Sequence, residues 1–274
     1  MAGHTSMATM MGCLLFSMAY AIDLPVPQKK ADENSVAKPE DAFPDTALDP
    51  TVLHTLAALS NEFKDREFGA AKDTVTLNLS YAFGNAHRPD WSAQVDLPVV
   101  RYLASNHPGS QSSSGLGDIE ARIGHVMRSE GLFRWAIGGE VEFDTGGGKP
   151  AGDGVFRLSP IIAFALQPSH NFKFQTFVQF NQSLVTETSV PEEQEIHVKP
   201  AINYALPANS YVYMEYEEEW NLKAAGDFSS TAKFEVGHAF GARGEWTLSA
   251  RCEIPLTKSS DDYTVTVGCT YVFK

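Results

Sequence analysis

Thr74-Val75-Thr76-Leu77-Asn78-Leu79-Ser80-Tyr81-Ala82-Phe83 alternates apolar and polar residues without a break. Val75, Leu77, Leu79, Tyr81 and Phe83 share one face of an extended chain, and the intervening residues share the other. A period of two is the mark of a β-strand whose faces meet different surroundings. The same rhythm returns downstream. Trp91, Ala93, Val95, Leu97 and Val99 form one apolar row, and Phe133, Trp135, Ile137, Gly139, Val141 and Phe143 another. Trp246, Leu248, Ala250, Cys252, Ile254 and Leu256 form a third, and Tyr263, Val265, Val267, Cys269, Tyr271 and Phe273 the last. Strands are expected near 73–84, 90–102, 116–128, 132–144, 154–167, 171–185, 193–206, 210–222, 230–240, 244–256 and 262–273. Each is about ten residues or slightly longer, enough to cross a bilayer at a tilt.

The connections alternate as well. Gly84–Pro89, Ser129–Gly131, Gln167–His170, Pro207–Asn209 and Gly241–Arg243 are short and turn-like. Ser105–Gly115, Thr145–Asp153, Thr186–Glu192, Lys223–Ser229 and Thr257–Asp261 are mostly longer. Outer-membrane barrels have short periplasmic turns and longer external loops. The alternation therefore implies an all-β fold, a transmembrane antiparallel up-and-down β-barrel in the bacterial outer membrane, with the N-terminus periplasmic. Phe83, Trp91, Phe133, Phe172, Phe240, Trp246 and Tyr271 lie beside the short turns, as an interfacial aromatic belt requires. With both termini on one side the strand count is even, about twelve. Leu59–Phe68 is the candidate for the strand that completes it. Asp49-Pro50 reads as a helix start, with Leu53, Leu56, Leu59 and Phe63 at near-helical spacing. Two readings are open here: a short helix before an edge-closing strand, or helix throughout.

Composition agrees with a barrel of unlike faces. The 274 residues are 43% hydrophobic with a mean hydropathy of −0.19, and no run of about 18 apolar residues offers a membrane helix. Met10–Ala21 is a short apolar run ending Ala19-Tyr20-Ala21, which fits a secretory signal peptide over 1–21, although no Lys or Arg precedes it. Residues 22–50, rich in Pro, Ala and charge, read as a disordered periplasmic tail able to dock a periplasmic partner. The barrel proper is expected over 51–274. A net charge of −13 without a basic patch excludes nucleic acid as a partner. No Cys/His spacing suggests a metal, and no cofactor is implied. Cys13 leaves with the signal peptide. If the last hairpin turns at Ser260-Asp261, Cys252 and Cys269 face each other. They are then either a cross-strand disulfide or two small apolar residues on the outer face.

The face opposite the apolar rows carries the charge. Asp96, Asp118, Glu120, Glu140, Glu142, Asp144, Glu215, Glu217, Glu219, Glu235 and Glu253 are its acids, and Arg122, Arg134, Arg157, Lys173, Lys199, Lys233 and Arg251 its bases. His197 points the same way. Such residues would be costly against lipid, so they line a lumen, either paired across it or facing a narrow pore. Glu218 breaks the pattern by sharing parity with Met214, Tyr216 and Trp220; either it lies near the outer rim or a bulge shifts the register there.

Trp91-Ser92-Ala93-Gln94-Val95-Asp96-Leu97-Pro98 followed by Gly115-Leu116-Gly117-Asp118, with the later Lys199-Pro200-Ala201-Ile202-Asn203-Tyr204-Ala205-Leu206-Pro207, resembles the transporter-like outer-membrane proteins named for the MetA pathway of phenol degradation. The likeness runs over roughly 50–274, more loosely at Asp49-Pro50-Thr51. It implies a barrel that moves small, often apolar or aromatic, compounds, and it brings no site residues. Lys274 after Phe273 departs from the aromatic terminus by which a C-terminal strand addresses the barrel-assembly machinery.

Catalytic patterns are weak. Asp144-Thr145-Gly146 matches an aspartic-protease triplet but has no second copy to pair its carboxylate. Ser183 and His197, inward on successive strands, are the one pair that a lipid-modifying barrel enzyme could use. The expectation is a non-enzymatic channel with lipid and a small solute as its partners; the alternative is a non-conducting barrel that docks a partner. An acidic excess inside favours cations or neutral solutes.

Overall fold

Among the described residues, main-chain hydrogen bonds join the strands into a closed sheet without an edge. The computed structural model describes residues 49–66, 70–84, 89–103, 112–127, 132–147, 151–186, 190, 192–223, 227–257 and 261–273. The expected signal peptide, Cys13, Lys274 and all of the 22–50 tail except Asp49 and Pro50 lie outside these residues. The strands are β1 (Leu56–Arg66), β2 (Ala70–Phe83), β3 (Trp91–Leu103), β4 (Ser113–Leu116), β5 (Ile119–Met127), β6 (Phe133–Phe143) and β7 (Val155–Ser169). They continue as β8 (Phe172–Thr186), β9 (Gln194–Leu206), β10 (Ser210–Asn221), β11 (Phe228–Phe240), β12 (Trp246–Pro255) and β13 (Asp261–Val272). All neighbours are antiparallel, and β4 and β5 both pair with β3 as two parts of one spanning strand. Twelve strands thus close into a barrel, with β1 held between β2 and β13.

The twelfth strand exists, three residues earlier than Leu59, and among the described residues no helix precedes it. Asp49 instead opens a turn: Val52 N donates to Asp49 O at 3.0 Å, and Thr51 N donates to Asp49 Oδ1 at 2.8 Å. The helical spacing of Leu53, Leu56, Leu59 and Phe63 was incidental. Leu56 faces inward, while Leu59 is 53% exposed on the outside.

Burial is inverted relative to a soluble protein. Leu77, Ile137, Phe174, Phe234, Trp246 and Val267 are exposed, whereas Arg134, Glu140, Lys173, Glu217 and Glu235 are buried. An apolar outside and a charged inside suit a bilayer. At the short-turn end the aromatic rows touch: Phe83 stacks toward Trp91, Phe240 toward Trp246, and Trp246 meets Tyr271 at 4.6 Å between centroids.

Three details correct or refine the sequence reading. The last hairpin pairs Leu248 with Cys269 and Cys252 with Val265, so the two thiols are not opposite and both are free. The ladder through Glu218 is unbroken, with Glu218 opposite Ser230, so no bulge moves it inward; Tyr216 donates to it at 2.9 Å on the outer face. Inside, Tyr211 stands opposite Gly237, and a Cβ on Gly237 would lie 2.2 Å from the tyrosine ring. The absent side chain is what lets that ring lie flat on the wall.

Arginine at an outward mid-strand position should be costly. Val267→Arg is expected to lose about 2–4 kcal/mol of folding stability in lipid vesicles. Thr266→Ser, facing inward beside it, should stay near neutral. Urea titration of vesicle-inserted protein checks both.

Candidate functional site

The lumen wall is the site, and strand parity builds it. Each inward residue on β3 and β5–β12 meets inward residues of its neighbours, so the charges form clusters across strands. Arg122 reaches Glu120 at 2.7 Å, Asp96 at 3.5 Å and also Glu140, which accepts from Gln179 at 3.0 Å. Arg157 bridges Glu142 and Glu193. Lys233 lies 3.1 Å from Glu215 and 2.6 Å from Glu217, and Lys199 lies 2.7 Å from Glu217. Arg251 pairs with Glu235 at 2.7 Å and sits 3.9 Å from Glu253. Tyr211 and Tyr213 donate to Glu235 and Glu215. These side chains share one parity of their strands, and most of them are paired with one another.

Two expected residues serve other ends. Asp118 sits in the break between β4 and β5, where its carboxylate accepts from Gly146 N and Asp153 N and ties the long loop down. Thr145, of the protease-like triplet, donates to Gly117 O at 2.8 Å beside it. His197 is ringed by Glu195 at 3.2 Å, Glu217 at 3.3 Å and Glu219 at 3.5 Å, with Asn181 at 3.0 Å. Ser183 bonds instead to the main chain of Glu193, so it is not presented to His197.

The sequence reading missed the segment ahead of β1. Thr55 stays on the β1 side, where its carbonyl accepts from Phe273 N and its hydroxyl from Ala82 N. From there residues 49–55 cross the barrel's short-turn end. Asp49 Oδ2 lands 2.7 Å from Lys173 Nζ on β8 and 3.0 Å from Arg134 on β6. Counting around the barrel, β8 is six strands from β1 in either direction, through β13, β12, β11, β10 and β9 or through β2, β3, β5, β6 and β7. The segment is a strap across the full width of the bore. Arg134 and Lys173 face the neutral Ala165 and Asn203 across their ladders.

Beneath the strap is a cavity of about 210 Å³. Pro50, Val52 and Leu53 line it from the strap, and Ala136, Ile161, Ala163 and Phe177 from the wall, with Gln94 and Arg122 toward the long-loop side. A second cavity of about 220 Å³ opens at the long-loop end among Lys64, Glu219, Glu253, Ser229, Thr231 and Thr264. The charge clusters lie between the two.

The family model described as "Putative MetA-pathway of phenol degradation" matches residues 51–273. The chain belongs to this family. Members' likeness in shape extends to solved barrels of low sequence identity. The COG4313 outer membrane channel from Pseudomonas putida F1 is 13% identical, with a TM-score of 0.68 over 81% of this chain and 96% of that one. The NanC porin is 7% identical, with a TM-score of 0.58 over 80% and 99%. The KdgM porin is 13% identical, with a TM-score of 0.52 over 80% and 99%. No curated protein matches the sequence. At these identities the solved structures establish the fold of this family member and nothing finer.

Electrostatics make the strap tight. Burial works against charge on Asp49, but Lys173 and then Arg134 outweigh it and hold the carboxyl below its ordinary range. Docking strength that depends on this charge is complete above the ordinary carboxylate pKa of about 3.9 and is lost only as pH falls through the lower docked value. Hydrogen-exchange protection of the Thr51 and Val52 amides should accordingly be constant from pH 8 to 5 after correction for intrinsic rates. In the wall, Lys233→Met leaves Glu215 and Glu217 facing each other; a loss of about 3–5 kcal/mol in urea unfolding is expected.

Proposed function

We propose that this barrel is an outer-membrane channel for small molecules, among them compounds with an apolar or aromatic body. The observation that carries the reading is the cavity beneath the strap. Its walls combine aliphatic and aromatic side chains with a few polar groups, as small-molecule sites do. An apolar cavity of about 150 Å³ takes a benzene ring; at about 210 Å³ this one has room for a substituted ring. The short turns, the strap and the chain's N-terminus then face the periplasm, and the hydroxyl-rich cavity at the other end receives solute from outside.

The strap and the belt of ion pairs also supply the ground for a second reading, a sealed barrel whose N-terminal tail docks a periplasmic partner. Most charged side chains of the lumen are engaged with one another rather than poised on a reacting group, which supports transport or docking over catalysis.

Conductance separates the two. In planar bilayers the purified protein should show small steps, and Asp49→Asn, which removes the charge that holds the strap, should raise conductance severalfold. Reversal potentials should favour cations over anions, because the belt carries more carboxylates than bases. Silence from both proteins would sink the channel reading and leave the docking one.

A further inference from the structure

Register brings a histidine and two carboxylates to one point of the wall that spacing along the chain did not mark for a metal. Glu217 and Glu219 are two apart on β10 and share one face of it, and His197 of β9 stands opposite Glu219. His197 Nδ1 lies 3.3 Å from Glu217 Oε1 and 3.5 Å from Glu219 Oε1. One ligand atom from each of the three residues lies within 4.8 Å of the others. A zinc ion with bonds of about 2.0–2.2 Å in a tetrahedron sets its ligand atoms about 3.3–3.6 Å apart. Both edges that meet at Nδ1 already have that length.

The surroundings hold these atoms in place for an ion. Nε2 of His197 faces Glu195 Oε2 at 3.2 Å and the Asn181 side-chain amide at 3.0 Å. Asn181 is 5% exposed, and its Oδ1 has no partner among the described residues while its amide nitrogen is turned to the ring. Turning the amide over gives Oδ1 the Nε2 proton, alongside Glu195. That arrangement keeps the proton on Nε2 and leaves the Nδ1 lone pair facing Glu217 and Glu219, as a metal-binding imidazole requires. Glu219 Oε2 accepts from the Ser229 hydroxyl at 2.8 Å, which leaves Oε1 to the ring side. Glu217 takes Lys233 on Oε2 at 2.6 Å and Lys199 on Oε1 at 2.7 Å. A carboxylate has about four lone-pair sites, so Oε1 keeps one for an ion. Charge agrees: Glu195, Glu215, Glu217 and Glu219 outnumber Lys199 and Lys233 by two, the charge of a divalent ion.

We propose that His197, Glu217 and Glu219 bind a zinc ion in the wall, with Glu195 and Asn181 orienting the imidazole. Three protein ligands leave the fourth corner of the tetrahedron to water. The imidazole nitrogen selects zinc over calcium and magnesium, which take oxygen ligands. Glu219 also lines the cavity of about 220 Å³ at the long-loop end, which gives the ion its way in. Bound there, zinc ties β9 to β10 and supplies the positive charge that the lysines leave short. The site needs only the wall, so it stands whether the barrel conducts or is sealed.

The test is isothermal titration calorimetry of the full-length protein in detergent micelles, with zinc chloride as the probe. Wild type is expected to bind one ion per chain saturably, and an excess of magnesium chloride should leave the curve unchanged. His197→Gln and Glu219→Gln should each weaken binding about tenfold or more, since losing even a partner that only orients a ligand costs that much. His238→Gln, whose ring meets Ser210 at 3.0 Å beside a short turn, should bind as wild type does. The Glu219 side chain is 40% exposed, so its amide variant is tolerated by the fold and decides the matter should His197→Gln fail to fold. No saturable binding to wild type, displacement by magnesium, Glu219→Gln binding as tightly as wild type, or an equal loss in His238→Gln would overturn the proposal.

Discussion

Closure of the main-chain hydrogen bonds is the constraint on which everything else depends. A peptide group left unpaired in hydrocarbon costs several kcal/mol, so a strand can lie in lipid only when both its neighbours are in place. The pairing of β1 with β13, from Leu56 opposite Val272 to Arg66 opposite Asp261, completes that circle. Closure also forces every inward side chain into a shared, confined space. The dense pairing of Lys233, Glu215, Glu217 and Lys199 follows from it, because charges brought so close must neutralise one another or be given up.

The faces of the strands were legible in the sequence, and their partners were not. Parity assigns Arg122, Glu140 and Glu217 to the lumen, since a charge on the lipid side is penalised at every depth but the rim. Parity says nothing of register, because a shift by two residues leaves both faces intact. That is why Cys252 and Cys269 were placed opposite each other: the expected and observed registers of the last hairpin differ by an even step and bury the same side chains. β1 was hard to read for a related reason. Leu56 faces inward under the strap, and Asn61 sits on the outer face bonded to Asp73, so its alternation is blurred at both ends.

The strap was the least legible part of the site. Asp49 meets Arg134 across 85 positions of sequence, and no local pattern encodes a contact of that span. Proline and acidic residues before a barrel look alike whether they float or dock. The wall does hold a trace: Arg134 and Lys173 are inward cations whose ladder partners, Ala165 and Asn203, are neutral.

The flat contact between Tyr211 and Gly237 bears on how the sheet finds its alignment. Sliding β11 by two positions along β10 would set the phenol ring against Glu235 or Ala239, where side-chain carbons already occupy the gap that glycine leaves. Oil and water are indifferent to that slip; the notch is not. One missing methyl group therefore works as a gauge mark during assembly, rejecting by shape the misalignments that polarity alone would accept.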